Sequence, residues 1–132
     1  MNLIARLLVA LVALAHIGFL VLEMFLWTGP IGQRVFAMTP EFGTQTAVLA
    51  ANQGFYNGIL AAGLLWGALR NDRAFMIFFL LAVIGAGTYG GLTAKITILY
   101  LQAAPAALAL AALMLAKSRR DASSARPQSP TR

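Results

Sequence analysis

The chain has 132 residues, of which 60% are hydrophobic and 11% charged, with a formal net charge of +6 and no cysteine. A soluble domain carries about 25% charged residues, so this composition excludes an ordinary water-soluble fold, and the missing cysteines exclude disulfides and thiolate metal sites. The positive charge does not point to nucleic acid, because the basic residues flank apolar stretches without interleaved aromatics, a pattern that sets membrane orientation and meets anionic lipid.

A helix that crosses a bilayer needs roughly 20 mostly apolar residues. The first such run extends from about Leu3 to Trp27. Ala13-Leu14-Ala15 resembles a signal-peptide cleavage site, but the run continues unbroken through Phe19, Leu20, Val21 and Leu22, which favours a retained helix. Gly29-Pro30 ends this helix, and Ile31, Val35 and Phe36 then recur at near-helical spacing. That pattern predicts a short helix lying at the membrane interface. Thr39-Pro40-Glu41 reads as an N-cap, a proline at the first helical position and a carboxylate in the first turn.

The second apolar run extends from about Thr46 to Leu69 and stops at Arg70-Asn71-Asp72-Arg73. The third covers about Ala74 to Leu92, and the fourth about Ile96 to Ala116. Pro105 removes one backbone hydrogen bond from the fourth helix and is expected to kink it beside Gln102. The expected fold is therefore all-α, a bundle of four transmembrane helices. Residues 1–118 form the transmembrane domain. Residues 119–132, polar, basic and proline-containing, are expected to be a disordered tail.

The positive-inside rule orients the chain. With the N-terminus in the cytoplasm, Arg6, Arg70, Arg73, Lys117, Arg119, Arg120, Arg126 and Arg132 fall inside, and only Arg34 and Lys95 fall outside. Both termini are accordingly expected in the cytoplasm.

Two ionisable residues interrupt the first apolar run, His16 and Glu23. Intramembrane ionisable groups are costly and usually pair, face a bundle interior or serve a function. Seven residues separate them, two helical turns, so they share a face about 10 Å apart along the axis. Trp27 stands one turn beyond Glu23 and reads equally well as a ligand contact or as a belt aromatic. The second helix carries Asn52, Gln53, Tyr56 and Asn57, the third Thr88 and Tyr89, and the fourth Tyr100 and Gln102. At 1.5 Å per residue these groups converge on the outer half of the bundle, while the inner half is almost purely apolar. The expected ligand-binding set is Trp27, Asn52, Gln53, Tyr56, Asn57, Tyr89 and Gln102, with His16 and Glu23 as candidate catalytic residues. Amides and phenols inside a bundle also serve simply to hydrogen-bond neighbouring helices, at roughly 0.6 kcal/mol each.

Small residues form two stripes. Ala50, Gly54, Gly58 and Ala62 repeat at every fourth position of the second helix, and Gly87 and Gly91 do so on the third. Such stripes let backbones approach closely. They serve either packing within the chain or a homo-oligomer through Gly54, Gly58, Gly87 and Gly91.

The first helix reads Leu22-Glu23-Met24-Phe25-Leu26-Trp27, with His16 before it. The second reads Ala51-Asn52-Gln53-Gly54-Phe55-Tyr56-Asn57-Gly58, and the fourth begins Leu101-Gln102-Ala103-Ala104-Pro105-Ala106. Over roughly residues 5 to 116 this closely resembles a family of small bacterial four-helix membrane proteins known only as a domain of unknown function. The resemblance implies a fold and a multi-pass location in the bacterial inner membrane, and it carries no activity with it.

The chemistry of the polar set leaves three functions open. The favoured one is binding of a small lipophilic molecule, whose polar head meets the polar cluster while its tail lies in the apolar half. Acid–base chemistry by His16 and Glu23, such as isomerisation of a lipid, is the simplest reaction available there, and whether catalysis occurs stays open. The second is proton-coupled transport through Glu23 and His16, against which three helices offer no polar path through the inner half. The third is assembly with another membrane protein. One His and one Glu two turns apart do not make a metal site, and no cofactor is expected. The expected partners are membrane lipid and the lipophilic ligand, without nucleic acid.

Overall fold

The computed structural model describes the backbone of residues 3–124 and the side chains of residues 3–116. Among the described residues the chain is all-α: α1 (Leu3–Phe25), α2 (Pro30–Phe36), α3 (Pro40–Arg70), α4 (Arg73–Thr93), a π-helical turn (Leu99–Ala103) and α5 (Ala104–Ser124). Three segments are long and apolar enough to cross a membrane: Leu3–Phe25, Arg73–Thr93 and Leu99–Ala116. Helix α3 is the longest, at 31 residues, or roughly 46 Å. Asn52, Gln53, Tyr56, Asn57 and its glycines dilute its apolar character.

Local chemistry explains the boundaries. The Thr39 hydroxyl caps α3 by accepting from the Phe42 amide at 3.3 Å, with Pro40 in the first turn. The helix thus begins before the apolar run that starts near Thr46. At the other end Asn71 adopts the left-handed conformation, φ 55°, that closes α3. Asp72 then caps α4 by accepting from the Phe75 amide at 3.1 Å. The short helix expected from Ile31, Val35 and Phe36 is α2. It docks on the end of α1 because Gly32 has no Cβ; one there would collide with the Trp27 carbonyl oxygen. Helix α5 continues to Ser124, into the stretch from residue 119 expected as a tail. Residues 125–132 lie outside the described residues.

Helix α1 packs against α3 and α5, and α4 packs against the same two. Among the buried positions of α3, Ala50, Gly54, Asn57, Ala61, Leu64 and Ala68 follow alternating steps of four and three, while Gly63 and Gly67 are buried on the side that meets α4. This 3.5-residue period keeps one seam facing α1. On α1 the matching buried positions include Ala5, Val9, Val12 and His16. The seam departs from the fourfold stripe of the sequence after Gly54, because an i+4 row drifts around a 3.6-residue helix; Ala62 is exposed and Ala61 is buried.

The apolar core fills the half of the molecule that holds the α3–α4 turn. Leu64, Met76, Leu80, Val83 and Leu113 meet there, fully buried, with Ala5, Val9 and Ala109. Arg73 staples this end by donating to the Leu113 carbonyl oxygen and the Met114 sulfur of α5. In lipid such contacts stabilise through close packing rather than water exclusion. Gly63 accepts the ring of Phe79, and a Cβ on Gly67 would stand 2.8 Å from Met76 Cγ.

Candidate functional site

At the other end of the molecule the seam turns polar. Helix α1 places Glu23 in its last turn, against the small face of α3. A Cβ on Gly54 would lie 3.1 Å from Glu23 Cβ and 2.7 Å from Met24 Cγ, so the glycine is what admits the α1 backbone here. One turn on, Asn57 donates from Nδ2 to Glu23 Oε2 at 2.7 Å. Asn57 is 2% exposed, and its Oδ1 is buried without a hydrogen-bond partner. An unmatched buried carbonyl oxygen costs roughly 1–3 kcal/mol, and such groups call for an explanation.

His16 forms a second polar pair, two turns deeper on α1. It is 1% exposed. Its Nδ1–H donates to the Val12 carbonyl oxygen at 2.8 Å, which leaves Nε2 of the neutral ring as an acceptor. The Gln102 amide donates to that nitrogen over a long 3.4 Å. Phe19 packs edge-on to the imidazole, with ring centroids 5.5 Å apart.

The π-helical turn is what brings Gln102 inward. Pro105 lacks an amide hydrogen and its ring clashes with the carbonyl four residues back. The chain relieves this by widening the preceding turn, and the Ala104 amide donates to the Leu99 carbonyl oxygen, five residues back. The widened turn then rests on the glycine face of α4. A Cβ on Gly87 would stand 2.8 Å from both the Ala103 nitrogen and Gln102 Cβ, and one on Gly91 would stand 2.9 Å from Leu99 Cβ. The kink expected at Pro105 thus takes the form of a π-turn, a feature frequent at functional sites.

Beside Glu23 the surface opens into a cleft of about 280 Å³. Glu23, Met24, Phe25, Trp27 and Thr28 line it from the α1 side, and Ala47, Val48 and Ala51 line it from α3. The Trp27 indole N–H donates to the Thr46 hydroxyl at 3.0 Å, and that hydroxyl donates to the Phe42 carbonyl oxygen at 2.7 Å. Phe36 of α2 packs on the indole at a centroid distance of 4.5 Å. Helix α2 therefore buttresses the tryptophan that lines the cleft.

The sequence-derived polar set divides. Glu23 joins Asn57, His16 joins Gln102, and Trp27 stands at the cleft with Glu23. No hydrogen bond among the described residues links the two pairs. Asn52, Gln53, Tyr56 and Tyr89 point outward instead; Tyr56 is 54% and Tyr89 72% exposed. Tyr56 precedes Gly63 by seven residues and Asn52 by eleven, close to whole numbers of turns. These residues therefore share the face of α3 that Phe79 and Met76 cover further along, and α4 leaves its Asn52–Tyr56 end uncovered. Gly54, Gly58, Gly87 and Gly91 all meet neighbours within the chain, while Gly18 and Gly85 face open space.

Sequence reasoning passed over Thr46, the partner of Trp27, and the apolar wall of Ala47, Val48 and Ala51. Thr46 sits at the level of Trp27 near the start of α3, and that shared depth was the available signal. Among the described residues no group of three or more His, Cys, Asp or Glu could hold a metal ion.

A family sequence model described as "Protein of unknown function (DUF1304)" matches residues 10–114. The "Uncharacterized protein YpaA" of Lactococcus lactis subsp. lactis (strain IL1403) is 32% identical over 114 residues, covering 83% of this chain and 96% of the relative. No solved structure matches.

Proposed function

The chain belongs to the DUF1304 family of proteins of unknown function, and on that footing we propose that it is a four-span protein of the bacterial inner membrane that binds a small lipophilic molecule beside Glu23. Both termini lie in the cytoplasm, and the cleft lies in the outer half. Helix α3 is the fourth span. It is long enough for the full bilayer with its interfaces, about 40–45 Å, and it packs between two of the apolar helices. The basic residues at the α3–α4 turn and near the end of α5 mark the cytoplasmic side.

One observation carries the binding reading. Glu23 lines an open cleft, and among the described residues the one partner of its carboxylate is the neutral amide of the buried Asn57. A carboxylate is a costly way to join two helices in lipid. A ligand that meets Glu23 offsets that cost. The acid–base reading draws less support, since His16 is buried, its Nε2 faces Gln102, and it lies about 10 Å from Glu23 along α1. The transport reading has the packed core of Leu64, Met76, Leu80 and Leu113 against it.

The test is native mass spectrometry with lipid analysis on protein purified in mild detergent, comparing wild type with Glu23→Gln. A discrete molecule retained by wild type and lost from the variant is expected. Loss of nothing, with both proteins folded, overturns the binding reading.

A second reading, self-assembly, draws support from Asn52 and Gln53. Their amides sit on an exposed face of α3 beside Gly54, which meets Glu23. Each amide both donates and accepts, so a second copy presenting the same face matches it. Disulfide cross-linking of a Tyr56→Cys variant in membranes tests this; absence of a covalent dimer under oxidation counts against it.

A further inference from the structure

We propose that the occupant of the cleft is a lipophilic primary amine in its protonated form, its ammonium head set against Glu23 and the Trp27 ring. This rests on the ligand-binding reading above and adds the charge and hydrogen-bonding class of the ligand.

Electrostatics points first to a cation. Glu23 sits in the last turn of α1, where the backbone carbonyls already present the negative end of the helix dipole. No basic residue occupies that turn, and none lines the cleft. The partner of the carboxylate is a neutral amide, Asn57. A carboxylate in a low-dielectric setting at the unfavourable end of a helix lacks a counter-charge, and a bound cation supplies it.

The hydrogen-bonding inventory points to a head rich in N–H groups. The indole N–H of Trp27 is spent on Thr46, and the Thr46 hydroxyl is spent on Phe42. One N–H of the Asn57 amide is spent on Glu23 Oε2, and Asn57 itself is buried outside the cleft lining. What remains among the side chains that line the cleft is the second carboxylate oxygen of Glu23, an acceptor, and the Thr28 hydroxyl, which both donates and accepts. A phosphate or carboxylate head finds too few donors here. An ammonium brings three donors and no acceptor.

The walls fit the rest of such a molecule. The Trp27 ring, steadied by Phe36, offers an aromatic surface to a cation. Ala47, Val48 and Ala51 form a smooth apolar wall for the adjoining methylenes.

The experiment uses the full chain carrying Trp66→Phe, which leaves Trp27 as its one tryptophan, in phosphatidylcholine nanodiscs. Trp27 fluorescence is followed while dodecylamine, dodecanol or dodecyl sulfate is added. Dodecylamine is expected to give a saturable change that weakens by about tenfold or more in Glu23→Gln, the loss of one charge-assisted contact. Glu23→Asp, which keeps the charge, is expected to retain part of the affinity, and circular dichroism checks that each variant is folded. Saturable binding of dodecanol or dodecyl sulfate as tight as that of the amine overturns the ammonium assignment and leaves the binding reading intact. No saturable change with any of the three overturns both. Nanodiscs containing phosphatidylethanolamine identify the source. Competition with dodecylamine assigns the site to a membrane aminolipid, and unchanged affinity assigns it to a free amine.

Discussion

Asn57 bonds to Glu23 through one end of its amide and to nothing through the other. The 2.7 Å contact joins α3 to α1 across the seam, and the Oδ1 at the other end of the amide is buried without a partner. Asn57→Leu deprives the carboxylate of its donor. It is expected to lower stability by about 1–3 kcal/mol, read as a fall in Tm in detergent. In a Glu23→Leu background the same replacement is expected to cost much less, because no carboxylate is then left without its donor. A double-mutant cycle with no coupling between the two positions would falsify the pairing.

Two glycines of α4 provide a matched comparison. Gly87→Ala drives a methyl group into the Ala103 backbone, whereas Gly85→Ala meets open space. The first is expected to destabilise by about 1–3 kcal/mol. The second is expected to be neutral or to stabilise by up to about 1 kcal/mol through helix propensity. Thermal unfolding of the two variants side by side checks this, and the reverse order would mean that α4 does not rest on the π-turn.

Pro105→Ala restores the missing amide hydrogen and removes the ring clash. The turn over Leu99–Ala103 is then expected to tighten to an ordinary α-helix, rotating Gln102 away from His16. Nitrogen-15 chemical shifts of the single histidine report the change. An unchanged Nε2 signal would show that Gln102 is held inward by the glycine face of α4 and not by the proline.

The course of α3 is open to a direct test, since the chain has no cysteine of its own. Thr44→Cys is expected to react with a membrane-impermeant maleimide in intact cells. Asn71→Cys is expected to react only after the inner membrane is opened. Labelling of both from one side would remove α3 from the set of spans.

A good part of the architecture is legible without coordinates. Thr39-Pro40-Glu41 and the Ile31/Val35/Phe36 spacing act within a few residues of themselves, and each appears in the structure as a cap or a helix. Pro105 likewise marks the place where α5 departs from regularity. The extents of α3 and α5 were less legible, because polar ends such as Glu41 to Gln45 continue a helix once it is capped even where the apolar run has stopped.

Linear order fixes what is local and compositional: apolar helices, the Thr39 cap, the charge asymmetry, and the presence of His16 and Glu23 in an apolar run. The tertiary structure alone decided which way the polar residues turn. Asn52 and Asn57 are five residues apart on one helix, yet Asn57 meets Glu23 and Asn52 faces outward. The fourfold glycine stripe suggested one face, but a helix of 3.6 residues per turn carries such a row around its axis. The buried seam runs instead through Gly54, Asn57 and Ala61. Rotation about a helix axis leaves local hydrogen bonding unchanged. In lipid it is set by close packing with neighbouring helices, and those contacts exist only once Gly54 has admitted α1 and Gly87 has admitted the π-turn.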